Sequence, residues 1–455
     1  MHSPVRRLLL WILLSLALLL LSCSRQAAEQ NPVFRIQSGQ NIKLFTTTDT
    51  HYLSPGLTDN GPAFSRFLAA GDGKQVNYSD EMLDTLEYDI GLQQPAAVII
   101  SGDLTLNGEQ ASHQDLAKHL QSIEQRTGTR VYVIPGNHDV QNPWARSFEG
   151  ERQIPADTLS PKAFRSIYGA FGYEEAVLSD KNSLSYLAAP SDDLWLLMLD
   201  SSQFRSNKKL GHPQLDGQLS ASTLKWIDKC GRLAADNGAH IIAVMHHSLM
   251  DHSDFIQEGF TINDNNQVIE RLIRNGITTV FSGHIHIQDI RRYSAKGTEI
   301  YDIAESALSV YPHQYGVLNY SPAGQTLDYS TSRLNVELWA KAAGSTDSNL
   351  LHFNTYSEEA FRKLSADRSY ARLSQDSSYA NYTSTQLQAM ADVVGKLNEI
   401  YFAGTADSDH AAVLASEGYR LWQNAPAGGL RSYVMGMAQL EQQDNHHLQV
   451  KLSGR

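Results

Sequence analysis

The stretch VYVIPGNHD, Val131 to Asp139, runs from an apolar segment straight into Gly136, Asn137, His138 and Asp139. A short run rich in Val and Ile, stopped by Pro and Gly, reads as a β-strand covered on both faces. Four further segments share the form: AVIISGD (97–103), LWLLMLDSS (194–202), HIIAVMHHS (240–248) and ITTVFSGHIH (277–286). A sixth, TTTDTHYL (46–53), follows the apolar run Ile42, Leu44 and Phe45. Asp49 and His51 stand two apart, and residues i and i+2 of a strand point the same way, so a strand continuing through them turns both side chains to one point.

Five of these six strand ends carry metal-ligand side chains: Asp49 and His51, Asp103, Asn137 and His138, His246 and His247, and His284 and His286. In an open α/β sheet the strand carboxyl ends gather on one edge, where sites form. Asp, Asn and His brought together there offer a mixed oxygen and nitrogen shell to divalent ions. Between the strands lie helical patterns. SASTLKWIDKCGRLAADNG sets Leu224, Ile227 and Leu233 on roughly one face and stops at Gly238, and NQVIERLIRNG repeats the register before Gly276. Strands alternating with helices predict an α/β layered core. Beyond His286 the chain reads as antiparallel strands around the turn SPAG (321–324), and from about residue 345 as a helical domain, 345–455. There Thr383 and Gln386 are spaced as a capping box, with Gly404 as a stop.

DTH, the GD of SGDLTLNGE, GNHD, HH and GHIH, in that order and each behind an apolar strand, resemble the calcineurin-like metallophosphoesterase superfamily. The resemblance covers about residues 40 to 330 and implies a four-layer αββα sandwich as the catalytic domain, 40–335. It implies two divalent metal ions, Mn, Fe, Zn or Co, one held by Asp49, His51 and His286, the other by Asn137, His246 and His284, with Asp103 bridging. A hydroxide between the ions would attack phosphorus. His138 would stand beside the leaving group as general acid or phosphoryl donor, oriented by Asp139. His246 and His247 compete for one ligand position. Adjacent strand residues face opposite ways, and the family pattern favours His246.

The resemblance extends to the cyclic-nucleotide phosphodiesterase-like branch, so a small phosphodiester is the favoured substrate, with a phosphomonoester as the alternative. Insertions decide that choice, and Tyr52, Trp144, Phe148, Phe255 and Phe260 within them are candidates to stack on a base. Asn107 and His252 are candidates to shape the cleft, while His313, His352, His446 and His447 lack a ligand context and read as surface or satisfied core residues. A G-x-S-x-G elbow is absent, and GDGKQ (71–75) fails as a phosphate-binding P-loop because Gln75 stands where Ser or Thr belongs. A non-catalytic binding module of this fold would have lost ligands, and none is lost here.

Arg6 and Arg7 precede fourteen residues, Leu8 to Leu21, that are apolar except for Ser15, and Ser22-Cys23 follows. That run falls short of the roughly 20 residues that span a bilayer and suits a secretory leader. It resembles a bacterial lipoprotein signal (1–22), which implies lipidation of Cys23, a lipidated tether (23–39) and an extracytoplasmic enzyme held on a membrane, the outer one where there are two. Cys230 is the one other cysteine, so no internal disulfide is expected once Cys23 is lipidated. Of the formal charge of −12, loss of Arg6 and Arg7 leaves −14, an acidic body that is not expected to bind nucleic acid.

Overall fold

The apolar runs form strands in the computed structural model, which describes residues 35–295, 297–440 and 443–452. The expected leader, Cys23 and most of the tether lie outside the described residues. In chain order the strands are β1 (Ile42–Thr47), β2 (Ala97–Ile100), β3 (Arg130–Val133), β4 (Arg146–Glu149), β5 (Arg152–Pro155), β6 (Leu178–Ser179), β7 (Tyr186–Ala188) and β8 (Leu194–Leu199). They continue as β9 (His240–Met245), β10 (Thr279–Ser282), β11 (Asp289–Ala295), β12 (Thr298–Ala304), β13 (Gln314–Ser321), β14 (Thr326–Arg333) and β15 (His447–Lys451).

Two sheets result. The first has the order β15-β14-β13-β1-β2-β3, with β1, β2 and β3 parallel, and the second the order β11-β12-β10-β9-β8-β7-β6, parallel from β8 through β9 and β10 to β12. Strands β4 and β5 form a separate hairpin. The sheets meet face to face: Phe281 of β10 packs on Tyr329 of β14 with ring centroids 5.6 Å apart, and the Tyr186 hydroxyl donates to the Val133 carbonyl at 2.8 Å. Helices cover the outer faces. On the second sheet, Leu224 and Ile227 of helix Ala221–Asp236 and Leu272 of helix Asn265–Arg274 join Trp195 and Leu197 in one core. Near the first sheet, Lys43 of β1 reaches the Gln93 carbonyl of helix Ser79–Gln93, and Glu124 of helix Gln110–Thr127 accepts the Val131 N–H. The expected layered α/β architecture is present.

The parallel topology places the strand carboxyl ends at one edge, as the sequence predicts. The helical tail differs from the expectation in two respects. It starts earlier than residue 345, with helix Val336–Ala342, and it ends in a strand: β15 pairs antiparallel with β14, Leu327 facing Val450, and extends the first sheet. Helix Ser384–Ala403 carries the expected capping box of Thr383 and Gln386 and stops at Gly404, φ +73°. Its Met390, Val394 and Leu397 pack around the fully buried Trp422, whose indole N–H donates to the Met390 carbonyl at 2.7 Å. The same core takes in Ile285 and Ile287. Tail and catalytic body therefore share buried surface, and the chain from Gln37 onward forms one compact unit.

Candidate metal centre

The backbone around the site is bent. β1 ends at Thr47, before Asp49 and His51, and both residues have positive φ, 51° and 40°. They converge because segment 49–52 runs beside 102–104, the N–H groups of Asp49, His51 and Tyr52 donating to the carbonyls of Gly102, Asp103 and Leu104 at 3.0 Å each. The expected strand alternation is not the cause. Asp103, His284 and His286 also have positive φ, 47°, 69° and 63°, an uncommon conformation for residues with a Cβ that clusters at functional sites. Close approach explains two glycines. A Cβ on Gly136 would lie 2.2 Å from Asp103 Oδ1, and one on Gly283 would lie 1.9 Å from the hydroxyl that Thr48 donates to Asp49 Oδ2.

Three groups of ligand-type atoms each lie within 4.8 Å of one another: Asp49, His51 and His286; His51, Asp103 and His138; and Asp103, His246 and His284. Asp103 stands at the joint. Its Oδ1 is 3.4 Å from His246 Nε2, and its Oδ2 is 3.7 Å from His51 Nε2 and 3.9 Å from His138 Nε2. His51 Nε2 and His286 Nε2 approach to 3.3 Å beside Asp49 Oδ1, and Asn137 Oδ1 is 3.0 Å from His246 Nε2. Two carboxylates, an amide oxygen and four imidazoles directed at adjoining points are a donor set that fits two neighbouring divalent cations.

Second contacts fix which nitrogen faces inward. The Ser101 carbonyl lies 3.0 Å from His246 Nδ1, and the Gly259 carbonyl 3.2 Å from His284 Nε2, so those nitrogens carry hydrogen and leave His246 Nε2 and His284 Nδ1 for a ligand. Asp49 is held by the Thr48 hydroxyl at 2.7 Å and the His284 N–H at 2.9 Å. Burial opposes ionisation of Asp103, but the imidazoles of His246, His138 and His51 outweigh it and hold the carboxyl well below its usual range. Burial likewise opposes charge on His246, yet Asp103 and Asp49 push it up to about 9. The position attracts positive charge. His284 goes the other way: burial, with His247 and His246 beside it, holds it well below the usual imidazole range, with a lone pair to give.

His247 does not join the cluster. Its Nδ1 is 2.8 Å from the Ser201 hydroxyl and its Nε2 donates to the Leu215 carbonyl at 2.9 Å, so both nitrogens are used. Both histidines lie beyond the end of β9 at Met245, so a turn rather than strand alternation separates them. His138 is partly exposed, 21% against 0% for His51 and His246, and is therefore open to a substrate. Its Nδ1 donates to the Leu106 carbonyl at 2.9 Å and faces Asn107 Oδ1 at 3.1 Å. Here the expectation for Asp139 is corrected. Its carboxylate accepts the N–H groups of Gly136, Leu104 and Thr105 at 2.8, 3.1 and 3.0 Å and makes no bond to the His138 ring. Asp139 orients the loop that carries Asp103, and Asn107 with the Leu106 carbonyl orients His138. Burial and the Asp103 carboxylate push Asp139 up to about 7.

The aromatic candidates divide. Tyr52 and Phe148 are buried, Tyr52 giving its hydroxyl to Asp80 and Phe148 packing on Phe64. Phe255 lies against Tyr433 of the tail and Phe260 against the His284 ring. Trp144, 43% exposed, stands 6.5 Å from the His138 ring and is the most exposed of the five. His313 is buried, giving Nδ1 to the Leu308 carbonyl, His446 bonds Thr331, and His352 and His447 are exposed. Sequence reasoning missed Lys74 and Asp72 of GDGKQ, an ion pair whose charges reach the cluster. Burial lowers His51 to about 3, and the Lys74 ammonium adds to that fall.

The family profile described as calcineurin-like phosphoesterase matches residues 42–288. The chain belongs to that family. It is a metal-dependent hydrolase of phosphoester bonds, and a second profile, the C-terminal domain of cyclic nucleotide phosphodiesterase, matches residues 335–444 of the same phosphoesterase. Among solved structures it is similar to a dimetal phosphatase from Danio rerio, at 12% identity, over 64% of this chain and 95% of that one, with a TM-score of 0.45. It is similar also to the inner membrane complex anchor GAP50 of Plasmodium, at 11% identity over 65% and 85% of the two chains, TM-score 0.36. A search of curated proteins finds no match to it.

His252 is not in the cleft. It is buried between Asp289 and Asp302, its Nδ1 2.8 Å from the first and its Nε2 2.9 Å from the second. Burial opposes its charge, but Asp302 and Asp289 outweigh burial and raise it to about 9. A pKa raised above its unfolded value near 6.5 contributes stability that is complete below that value and is lost as pH rises through about 9. Urea unfolding from pH 6 to 10 should therefore show the stability gap between wild type and His252→Gln narrowing above pH 7; a constant gap refutes the charge. In the metal centre, His246→Ala should lower bound metal from about two ions towards one, while His247→Ala stays near two by elemental analysis. The reverse result would transfer the ligand role to His247.

Proposed function

We propose that this phosphoesterase is a phosphodiesterase of the cyclic-nucleotide type. Two divalent cations, Mn, Fe, Zn or Co, would be held one by Asp49, His51 and His286 and the other by Asn137, His246 and His284, with Asp103 available to both. The observation that carries this reading is the Asp103 carboxylate, whose two oxygens face opposite halves of the cluster, Oδ1 to His246 and Oδ2 to His51. When bound, such a pair of cations supplies positive charge for phosphoryl oxygens and acidifies water. The chain's own groups do the rest. His138, its Nδ1–H tied to the Leu106 carbonyl, presents Nε2 to the ester, and when protonated there it donates to the departing oxygen. Burial, with Lys74, lowers its pKa against the pull of Asp103, so a proton held there is given up more readily than by an ordinary imidazolium.

Two observations favour a diester with an aromatic substituent: the exposed Trp144 beside His138, and the likeness of residues 335–444 to a cyclic nucleotide phosphodiesterase tail. We propose further that the enzyme is extracytoplasmic and held on a bacterial membrane by lipid on Cys23. The Leu8–Leu21 run ending in Ser22-Cys23 supports this. No helix among the described residues is long and apolar enough to cross a membrane.

Chelation of the purified protein should abolish most hydrolysis of bis-p-nitrophenyl phosphate and divalent metal should restore it; equal rates with and without chelator would sink the dinuclear reading. On a panel with p-nitrophenyl phosphate and 2′,3′- and 3′,5′-cyclic nucleotides, kcat/KM for diesters should exceed that for the monoester by about tenfold or more. A monoester preference would make it a phosphatase or nucleotidase instead. For the anchor, mass spectrometry of the mature N-terminus should find a lipid-modified Cys23, absent in Cys23→Ser. An unmodified amine at any other residue rules the lipoprotein reading out.

A further inference from the structure

GDGKQ lacks the hydroxyl residue of a P-loop, yet the fold brings it to the metal centre by another route. The Gln75 N–H donates to the Ser309 carbonyl at 2.7 Å, and the Ser309 hydroxyl donates to the Asp49 carbonyl at 2.8 Å. The segment thus hangs two hydrogen bonds from a residue of the cluster. From the other side, helix Phe353–Gln375 of the tail grips it. Arg368 donates to the Ala70 carbonyl at 2.8 Å and to that of Gly71, and the Tyr356 hydroxyl donates to Gln75 Oε1 at 3.4 Å. Phe361 packs so closely on Gly73 that a Cβ there would fall 2.8 Å from the ring; with φ +97°, the position requires glycine.

Between these anchors stands Lys74. Its side chain is only 12% exposed, and Asp72 is the ammonium's one hydrogen-bond or ion-pair partner among the described residues. An ammonium has three donors, so two are left without an acceptor among the described residues. Its charge is felt at His51 and His138, the imidazole that presents Nε2 to the ester. We infer that Lys74 binds substrate: steadied by Asp72 and delivered by the loop that the tail braces, its ammonium takes a non-bridging phosphoryl oxygen of the ester. This rests on the phosphoesterase reading. A charge-assisted bond from a compact ammonium suits a phosphoryl oxygen, and the tail, through Arg368 and Phe361, positions the residue that makes it.

The test uses the full metal-loaded protein and two measurements, calorimetric titration with inorganic phosphate and KM for bis-p-nitrophenyl phosphate. Lys74→Met should weaken phosphate binding and raise KM, each about tenfold, with bound metal unchanged. Lys74→Arg should recover most of both, and Arg368→Ala should raise KM by a smaller factor. Phosphate affinity and KM of Lys74→Met within about twofold of wild type would overturn the inference, as would an affinity loss that tracks metal loss, or a wild type that binds no phosphate. The two readings fail separately. Lys74-dependent phosphate binding in a protein that hydrolyses no ester would support the anion site and sink the phosphoesterase reading; normal hydrolysis by Lys74→Met would sink only the lysine.

Discussion

Asp49 and Asp103, nearly free of solvent, share one buried spot with the rings of His51, His246 and His284. Any one of these groups buried alone and charged would be costly. Asp103 makes the arrangement tenable, since each of its oxygens faces imidazole nitrogens on a different side. The rest of the site serves that crowding. Segment 49–52 runs close beside 102–104, Gly136 and Gly283 leave room that a Cβ would fill, and five cluster residues accept left-handed backbone.

Crowded side chains must also be aimed, and backbone carbonyls do much of this. Ser101, Leu106 and Gly259 each fix one histidine nitrogen, which settles what the opposite nitrogen offers. Gly259 lies in the loop after the His246-His247 pair, and that loop is tied down by charge. Asp302 accepts the N–H groups of Leu249 and Met250 at 2.6 and 2.9 Å and faces His252, which in turn faces Asp289. The ion pairs around His252 thus hold the start of the loop that carries the Gly259 carbonyl.

The tail belongs to the same machinery. Ile285 and Ile287, which alternate with His284 and His286, are buried in the core built by the tail helices. The next residue, Gln288, donates its N–H to the Phe402 carbonyl at 3.1 Å, and a Cβ on Gly404 would come within 2.5 Å of the Gln288 carbonyl. One face of the last ligand segment meets the cluster, and the other rests on a region outside the phosphoesterase match. That contact gives the C-terminal region a part in placing His284 and His286.

The strand and helix alternation, the order of the ligand blocks and the cap and stop of helix Ser384–Ala403 are legible in the chain alone, because these depend on local periodicity and on residue type at strand ends. The residues that the structure gathers into the three groups all stand in the quoted blocks, His138 among them although no ligand role was expected of it. Partnership was a different matter. Asp139 follows His138 directly in the chain but bonds the backbone of 104–105 and 136, whereas Asn107 and the Leu106 carbonyl, some thirty residues upstream, hold the imidazole. Tyr52 and Phe148 read as available aromatics and are core; Lys74 read as the remnant of a failed motif, and its charge is felt at His51. Tertiary structure alone decides such questions, because which side chains meet depends on where separate segments cross, and a left-handed turn at Asp49 or a tail helix against Gly73 leaves no periodic trace in the chain.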